Sequence, residues 1–317
     1  MAYTLPKQST DPLPVAHASL DVLMANLDAV IVGKHKAIQL VLVALLSGSH
    51  VLLEDVPGVG KTLLAKALAR SIDGKFQRIQ CTPDLLPSDL TGTNIWNPQE
   101  GKFEFLAGPV FANVLLTDEI NRATPRTQSA LLEVMEETQV TIDGVTYPVA
   151  HPFFVIATQN PVESHGTFPL PEAQLDRFAL ALSLGYPTEA EEMQMLQQTR
   201  MGPRLSALKP CISLDQVRQL QEACLAVQVE RSLQQYMLDL VRATRQNSDI
   251  RLGVSPRGTV TLQRAVQAFA FLNGRAFALP DDVKFLAPYV LSHRIIPAGG
   301  QTASHLIEQL LAVTPIP

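Results

Sequence analysis

The sequence predicts an α/β sandwich, a parallel sheet covered by helices on both faces, followed by an all-α lid domain. Three observations lead there. Short apolar runs recur between helical stretches from His50 to Leu184, and strands that alternate with helices pair in parallel, because each crossover returns the chain to the same end of the sheet. The first of these runs enters a glycine-rich turn that opens directly into a helix, a strand–loop–helix order with a known use at phosphates. Beyond Pro187 the β-branched runs cease and helical spacing alone remains.

Taken in order, residues 20–46 carry apolar side chains at helical spacing, with a break at Ile31-Val32-Gly33. Residues 50–54 read as a strand, 62–71 as a helix, 76–81 as a second strand and 114–117 as a third that ends in acids. Residues 127–137 are helical, with Ala130, Leu131, Val134 and Met135 on one face, and 153–158 and 179–184 give the fourth and fifth strands. Two segments interrupt this alternation. Residues 93–105 read as a hairpin turning at 97–101, and 140–149 as another around Asp143-Gly144, a dipeptide that favours tight hairpin turns. In the second domain, residues 189–200, 214–224, 232–245, 256–273 and 281–292 all look helical. The expected division is therefore an arm over residues 1–18, a core over 19–187 and an all-α lid over 188–317, with a loose join near 202–210.

Composition narrows the function. A chain of 317 residues calls for about two domains, and 46 % hydrophobic residues is ample for packed cores. Lys plus Arg number 25 against 30 Asp plus Glu, net −5, which argues against sequence-independent nucleic-acid binding because that needs a cationic stripe. Cys81, Cys211 and Cys224 are scattered, with no C-x-x-C or H-E-x-x-H run. Reduced thiols in a cytoplasmic protein are expected, rather than a disulfide framework or a zinc site. Residues 1–16 hold Pro6, Pro12 and Pro14 without an apolar core, so they read as a loose arm and not a secretory signal. The longest apolar run, 37–46, is interrupted at Gln39 and falls well short of the roughly 20 residues a membrane span needs.

The strongest local signal is Asp55-Val56-Pro57-Gly58-Val59-Gly60-Lys61-Thr62, with Leu63 continuing into the helix. Gly58 and Gly60 allow backbone N–H groups to turn inward around phosphate oxygens, and the positive end of the following helix adds to the field. Lys61 supplies a charge for the β- and γ-phosphates of ATP, and the Thr62 hydroxyl is a Mg²⁺ ligand in such loops. The pattern departs from G-x-x-x-x-G-K-[ST] in one place, where Asp55 stands for the first glycine. An acid there is unfavourable beside a polyanion unless its side chain points away. The companion element is the apolar run from Val114 into Asp118 and Glu119, which delivers two acids at the end of a parallel strand, where such sheets bind ligands. Asp118 would hold Mg²⁺ through water, and Glu119 would polarise the attacking water as general base.

Four separated runs carry a family resemblance: TDEINRATPRTQSALLEVMEE at 117–137, FFVIATQNP at 153–161, LPEAQLDRF at 170–178 and Ser255-Pro256-Arg257. Together with the P-loop they resemble the MoxR branch of the AAA+ ATPases, P-loop NTPases, from about Leu20 to the last helices. The resemblance implies roles. Asn160 becomes the sensor that orients the lytic water. Arg177 becomes the arginine finger that reaches a neighbouring subunit's site. Arg257 becomes the lid sensor, contacting the nucleotide of its own subunit. Val32 and Gly33 resemble the backbone segment lining the adenine pocket, although a plain helix break reads almost as well. The hairpins match the inserts of the helix-2-insert group, which project toward a ring pore. Trp96, Phe103 and Phe105 then either touch a client or, as aromatics at alternate strand positions more often do, pack on their own core. His165 has no acid or nucleophile spaced to use it and reads as a loop histidine.

The resemblance further implies a homo-oligomer, a hexameric ring, and a chaperone-like action on a client protein, often one with a von Willebrand factor A domain. Two alternatives stay open at this point. A DNA-dependent motor shares the hairpins, but Lys102 is the only basic residue in them. A nucleotide-sensing scaffold without turnover has no need of a base such as Glu119.

Overall fold

The computed structural model describes residues 12–161, 166–198 and 204–317. In chain order the core runs α1 (Pro12–Val30), α2 (His35–Leu46), β1 (His50–Glu54), α3 (Lys61–Ser71), β2 (Phe76–Gln80), α4 (Pro87–Thr91), β3 (Gly92–Asn97) and β4 (Lys102–Ala107). It continues with β5 (Val114–Asp118), α5 (Pro125–Glu137), β6 (Gln139–Ile142), β7 (Val145–Pro148), β8 (Phe154–Gln159), α6 (Glu172–Leu175) and β9 (Phe178–Leu182). The lid holds α7 (Glu189–Gln198), α8 (Arg204–Ala207), α9 (Leu214–Leu225), α10 (Arg231–Gln246), β10 (Ile250–Leu252), α11 (Pro256–Leu272), α12 (Pro280–Leu291), β11 (Ile296–Pro297) and α13 (Ala303–Val313). The short α4, α6 and α8, the β10–β11 pair and α13 were not among the expected elements. Helix α1 also starts earlier than the expected arm allows. Pro12 and Pro14 fall in its first turn, where a missing N–H costs nothing because no helical acceptor awaits it. Residues 1–11 and His165 lie outside the described residues.

The central sheet has five strands in the order β2-β5-β8-β1-β9, all parallel. Every residue of β5 is buried, as a strand covered on both faces requires. Side chains alternate between two cores. Val51, Leu53, Val114, Leu116, Phe154 and Ile156 face one, and Leu52, Leu115, Val155 and Ala157 face the other. The first core is continuous with the lid, because the cluster around α1, α2 and α3 extends to Leu240, Val266, Val290 and Leu306. The second lies under α5, which buries Leu131, Leu132, Val134 and Met135. Ala130 is only half-buried and Leu132 takes its expected place, since the true stripe is centred one residue later.

One buried cation fastens lid to core. Arg294, in the turn after α12, donates from Nε to Asp176 Oδ1 at 2.7 Å and from Nη2 to the carbonyls of Asp176 and Phe178 at 3.2 and 2.6 Å. Its Nη1 donates to the carbonyls of Ala179 and Val290. Burial lowers its pKa to about 10 against the pull of Asp176, so it remains charged at neutral pH.

The two hairpins, β3–β4 and β6–β7, form as expected. Asp143 and Gly144 both have positive φ, 50° and 80°, which is the left-handed pair a tight hairpin turn needs. Phe105 stacks on Tyr147 at 4.2 Å and Asn94 donates to Asp143 at 2.6 Å, so the hairpins form one unit. The core reading of Trp96 and Phe103 is corrected here. They are 54 % and 67 % exposed, paired edge-to-face across the strands at 5.2 Å. They sit near the hairpin turn, beyond the reach of the core, and only Phe105 is packed inward, against Phe111 and Tyr147.

Candidate functional site

The strand order aligns the candidate residues. β8 lies between β1 and β5, and the registers Leu53↔Thr158 and Gln80↔Asp118 bring the ends of four strands to one rim. Between β1 and α3 the loop turns through Gly58 and Gly60 at φ 91° and 100°. A Cβ at either glycine would meet only open space, so the backbone faces a cleft of about 360 Å³. No side chain caps the N-terminus of α3, which leaves its first N–H groups for a ligand. Lys61 curls back over the loop, donating to the carbonyls of Asp55 and Val56 at 2.9 and 3.1 Å. Pro57, Thr62 and Leu63 line the same cleft, whereas the Val59 side chain packs on the hydrophobic core.

The departure at Asp55 resolves itself. Although Asp55 borders the cleft, its carboxylate is engaged, accepting from the Ser183 hydroxyl at 2.6 Å, the Leu184 N–H at 2.6 Å and the Gly185 N–H at 3.0 Å. It ties the start of the loop to the chain leaving β9.

At the end of β5, Glu119 adopts the left-handed conformation, φ 55° and ψ 51°, which costs a non-glycine residue about 1–2 kcal/mol. Strain of this kind persists where surroundings fix it. Here the Thr158 hydroxyl accepts from the Glu119 N–H at 2.9 Å and donates to Asp118 Oδ1 at 3.3 Å, so one side chain of β8 sets both acids. Asp118 Oδ2 accepts from Arg78 Nε at 2.6 Å. Glu119 Oε2 accepts from Gln80 at 2.7 Å and from Arg122 at 3.1 Å. Asn160, buried at the end of β8, completes the wall. The neighbouring Cys81 thiol is pushed up to about 12 by burial and by the charges of Asp118 and Glu119, which keeps it protonated and chemically quiet.

Arg177 and Arg257 are elsewhere. They line a separate cavity of about 350 Å³ with Glu136, Asp176 and Arg264. Arg177 donates to the Leu132 carbonyl at 2.6 Å and pairs with Glu136 at 2.9 Å, and Arg257 pairs with the same carboxylate at 2.7 Å. Arg257, expected at its own subunit's nucleotide, does not line the cleft of Lys61 and Glu119 but this second cavity. The cause is the anchoring of α11. Ser255, its N-cap, donates to Asp176 at 2.7 Å, and this sets Arg257 beside Arg177. Val32 and Gly33 also lie off the phosphate cleft. Gly33 has φ 71°, and a Cβ there would collide with the Glu191 carboxylate, while Lys34 donates to the Tyr186 carbonyl at 2.9 Å, so the start of α7 covers this turn.

Comparison with known proteins identifies both the core and the lid. Residues 50–180 match the ATPase family associated with various cellular activities (AAA), and residues 242–310 match the AAA lid domain. YeaC, an uncharacterized protein of Bacillus subtilis, is 46 % identical over 95 % of this chain and 96 % of its own length. Chaperone MoxR1 of Mycobacterium tuberculosis is 41 % identical over 93 % of this chain and 80 % of its own. Protein MoxR of Paracoccus denitrificans is 32 % identical over 95 % and 97 %. The chain belongs to the MoxR family of AAA+ ATPases. A Cytophaga hutchinsonii crystal structure, assigned as an ATPase, superposes on this MoxR-family chain with a TM-score of 0.91 at 39 % identity, covering 98 % of both chains.

Among the described residues of this family member, no cluster of three or more His, Cys, Asp or Glu could hold a metal alone. Thr62 and Asp118 nevertheless offer oxygen donors into one cleft. That suits Mg²⁺, which takes one or two protein ligands and draws the rest from phosphates and water. The sequence reading missed Arg78, Gln80, Arg122 and Thr158. Arg78 and Gln80 alternate on one face at the end of β2, but which acids they meet depends on a strand register that no local pattern specifies.

Proposed function

We propose that this MoxR-family chain is a magnesium-dependent ATPase that works as a ring, hexameric in the family pattern, and drives chaperone-like remodelling of a client protein in the cytoplasm. The observation that carries the proposal is the division of the machinery. One cleft holds Lys61, Thr62, Asp118, Glu119 and Asn160, while Arg177 and Arg257 stand together outside it. A water against Glu119 would lose its proton to the carboxylate, with the Asn160 amide holding it in line. Lys61 and the N–H groups of α3 would stabilise the charge on the phosphates. Mg²⁺, bound through Thr62 and Asp118, would neutralise the β- and γ-oxygens. Arg177 acts on the neighbour's nucleotide, and Arg257, held at its side, acts with it.

The chaperone role rests on the relative named chaperone MoxR1, and a client bearing a von Willebrand factor A domain is the partner the family pattern suggests. A DNA motor is disfavoured because Lys102, the only hairpin cation, is engaged by Glu100 and Glu104.

A mixing experiment tests the division. Arg177→Ala rings and Glu119→Gln rings should each be nearly inactive, since a finger is worth about 10³ or more in rate. Lys61→Ala should lose ATP binding itself. When the two inactive rings exchange subunits at equal ratio, about a quarter of interfaces regain both groups and activity returns. Continued silence, with exchange shown by fluorescence transfer between labelled subunits, sinks the trans assignment.

A further inference from the structure

The two arginines do not simply neighbour each other. They converge on one carboxylate, Glu136, whose Oε2 takes Arg177 of the core and whose Oε1 takes Arg257 of the lid. Its place is costly for the helix that carries it. Glu136 lies in the last turn of α5, where no basic residue is present and where the negative end of the helix dipole disfavours an acid by roughly 0.3–1 kcal/mol. Helix stability therefore does not account for it. Nor is the acid interchangeable with its neighbours, because Glu133 and Glu137 on the same helix take neither arginine. Two guanidiniums held on one carboxylate repel each other, and Glu136 offsets that repulsion. With Glu136 in place the pair carries one net positive charge. Arg177 is further fixed by the Leu132 carbonyl of the same helix, and its buried Nε has no partner.

We propose that Glu136 is a positioning residue for the phosphoryl-transfer reaction. It binds both arginines by its two oxygens and presents them as one preset fork to the nucleotide of the adjacent subunit. This rests on the trans reading of Arg177. The ion pairs themselves are half-exposed, and such pairs contribute little to stability, so the effect belongs in turnover rather than in folding.

The test uses Glu136→Gln in the full-length chain. Its amide is neutral and replaces one acceptor oxygen with an NH2 donor, so the two guanidiniums lose their shared charge and one of them loses its own oxygen. The melting temperature and the affinity of the subunit for ATP should stay near wild type, while kcat falls roughly ten- to a hundredfold, the scale of a small misplacement of a catalytic group. On mixing with Glu119→Gln subunits, activity should return, because a Glu136→Gln subunit supplies the intact base and its neighbour supplies the intact fork. Wild-type kcat in Glu136→Gln overturns the proposal. So does a low kcat that mixing fails to restore while the parallel Arg177→Ala and Glu119→Gln mixture recovers, since Glu136 then serves its own subunit's site. If that parallel mixture also stays silent, the trans reading fails, and the fork falls with it.

Discussion

Replacing Asp55 by glycine would complete the strict G-x-x-x-x-G-K-T pattern, and the structure says the result should be a weaker protein with no gain in ATP binding. The Asp55 carboxylate is buried, 4 % exposed, and takes three hydrogen bonds from Ser183, Leu184 and Gly185. Gly185 N–H keeps a second acceptor in the Ser183 hydroxyl at 3.0 Å, but the buried Leu184 N–H loses its only partner shown here. Orphaning that amide costs about 1–3 kcal/mol, and the two remaining charge-assisted bonds add about 1.5 kcal/mol each at the low end of their range. Greater backbone freedom in the unfolded chain adds about 0.5–1 kcal/mol. Together these amount to about 4.5–7 kcal/mol, or a fall in melting temperature on the order of 10 °C for a chain of this size. Thermal melting and ATP titration of D55G, side by side with wild type, decide it. A variant that melts within about 2 °C of wild type, or that binds ATP about tenfold more tightly, would show that Asp55 is a defect of the loop and not its anchor to β9.

Two further outcomes follow from buried and exposed rings. His50 is held neutral, with Nε2 against the Met135 carbonyl and Nδ1 accepting from the Val155 N–H, both at 3.1 Å, and burial lowers its pKa from 6.5 to about 4. Between those values the unfolded chain binds a proton that the native chain refuses. Stability is therefore fully present above pH 6.5 and is lost as pH falls toward 4, by roughly 3 kcal/mol. Urea midpoints of wild type and His50→Gln should converge over that window, and a gap independent of pH would exclude His50 as the cause. Trp96→Ala and Phe103→Ala should each cost about 1 kcal/mol or less, the worth of an exposed aromatic pair, while Phe105→Ala costs clearly more. Equal losses in melting temperature for all three would contradict the exposed placement of Trp96 and Phe103.

The parts of the fold legible in the sequence are those with a local physical cause. Apolar runs bounded by turns marked four strands of the central sheet, β2 being the more polar exception, and Asp143-Gly144 marked its hairpin because its left-handed turn asks for those residues. The loop before α3 was legible for the same reason, as Gly58 and Gly60 take the positive φ its turn requires. The start of α1 was hidden by prolines whose cost vanishes in a first helical turn. The supports of the acids were hidden because Arg78, Gln80 and Thr158 act across strand registers. The place of Arg257 was not legible because it is set by a contact between Ser255 and Asp176, 79 residues apart. Trp96 and Phe103 were misread because alternation reports which face a side chain takes, not whether anything covers that face.

The guanidinium of Arg294 has a consequence for how lid and core move. It reaches acceptors on Asp176, Phe178 and Ala179 at once, and stripping a buried charge of its partners costs on the order of 3–5 kcal/mol. Thermal motion will rarely open that seam, so the helices behind it and the strand that follows Arg177 travel as one rigid lever. Within one chain, lid and core should then rotate together rather than hinge at this seam.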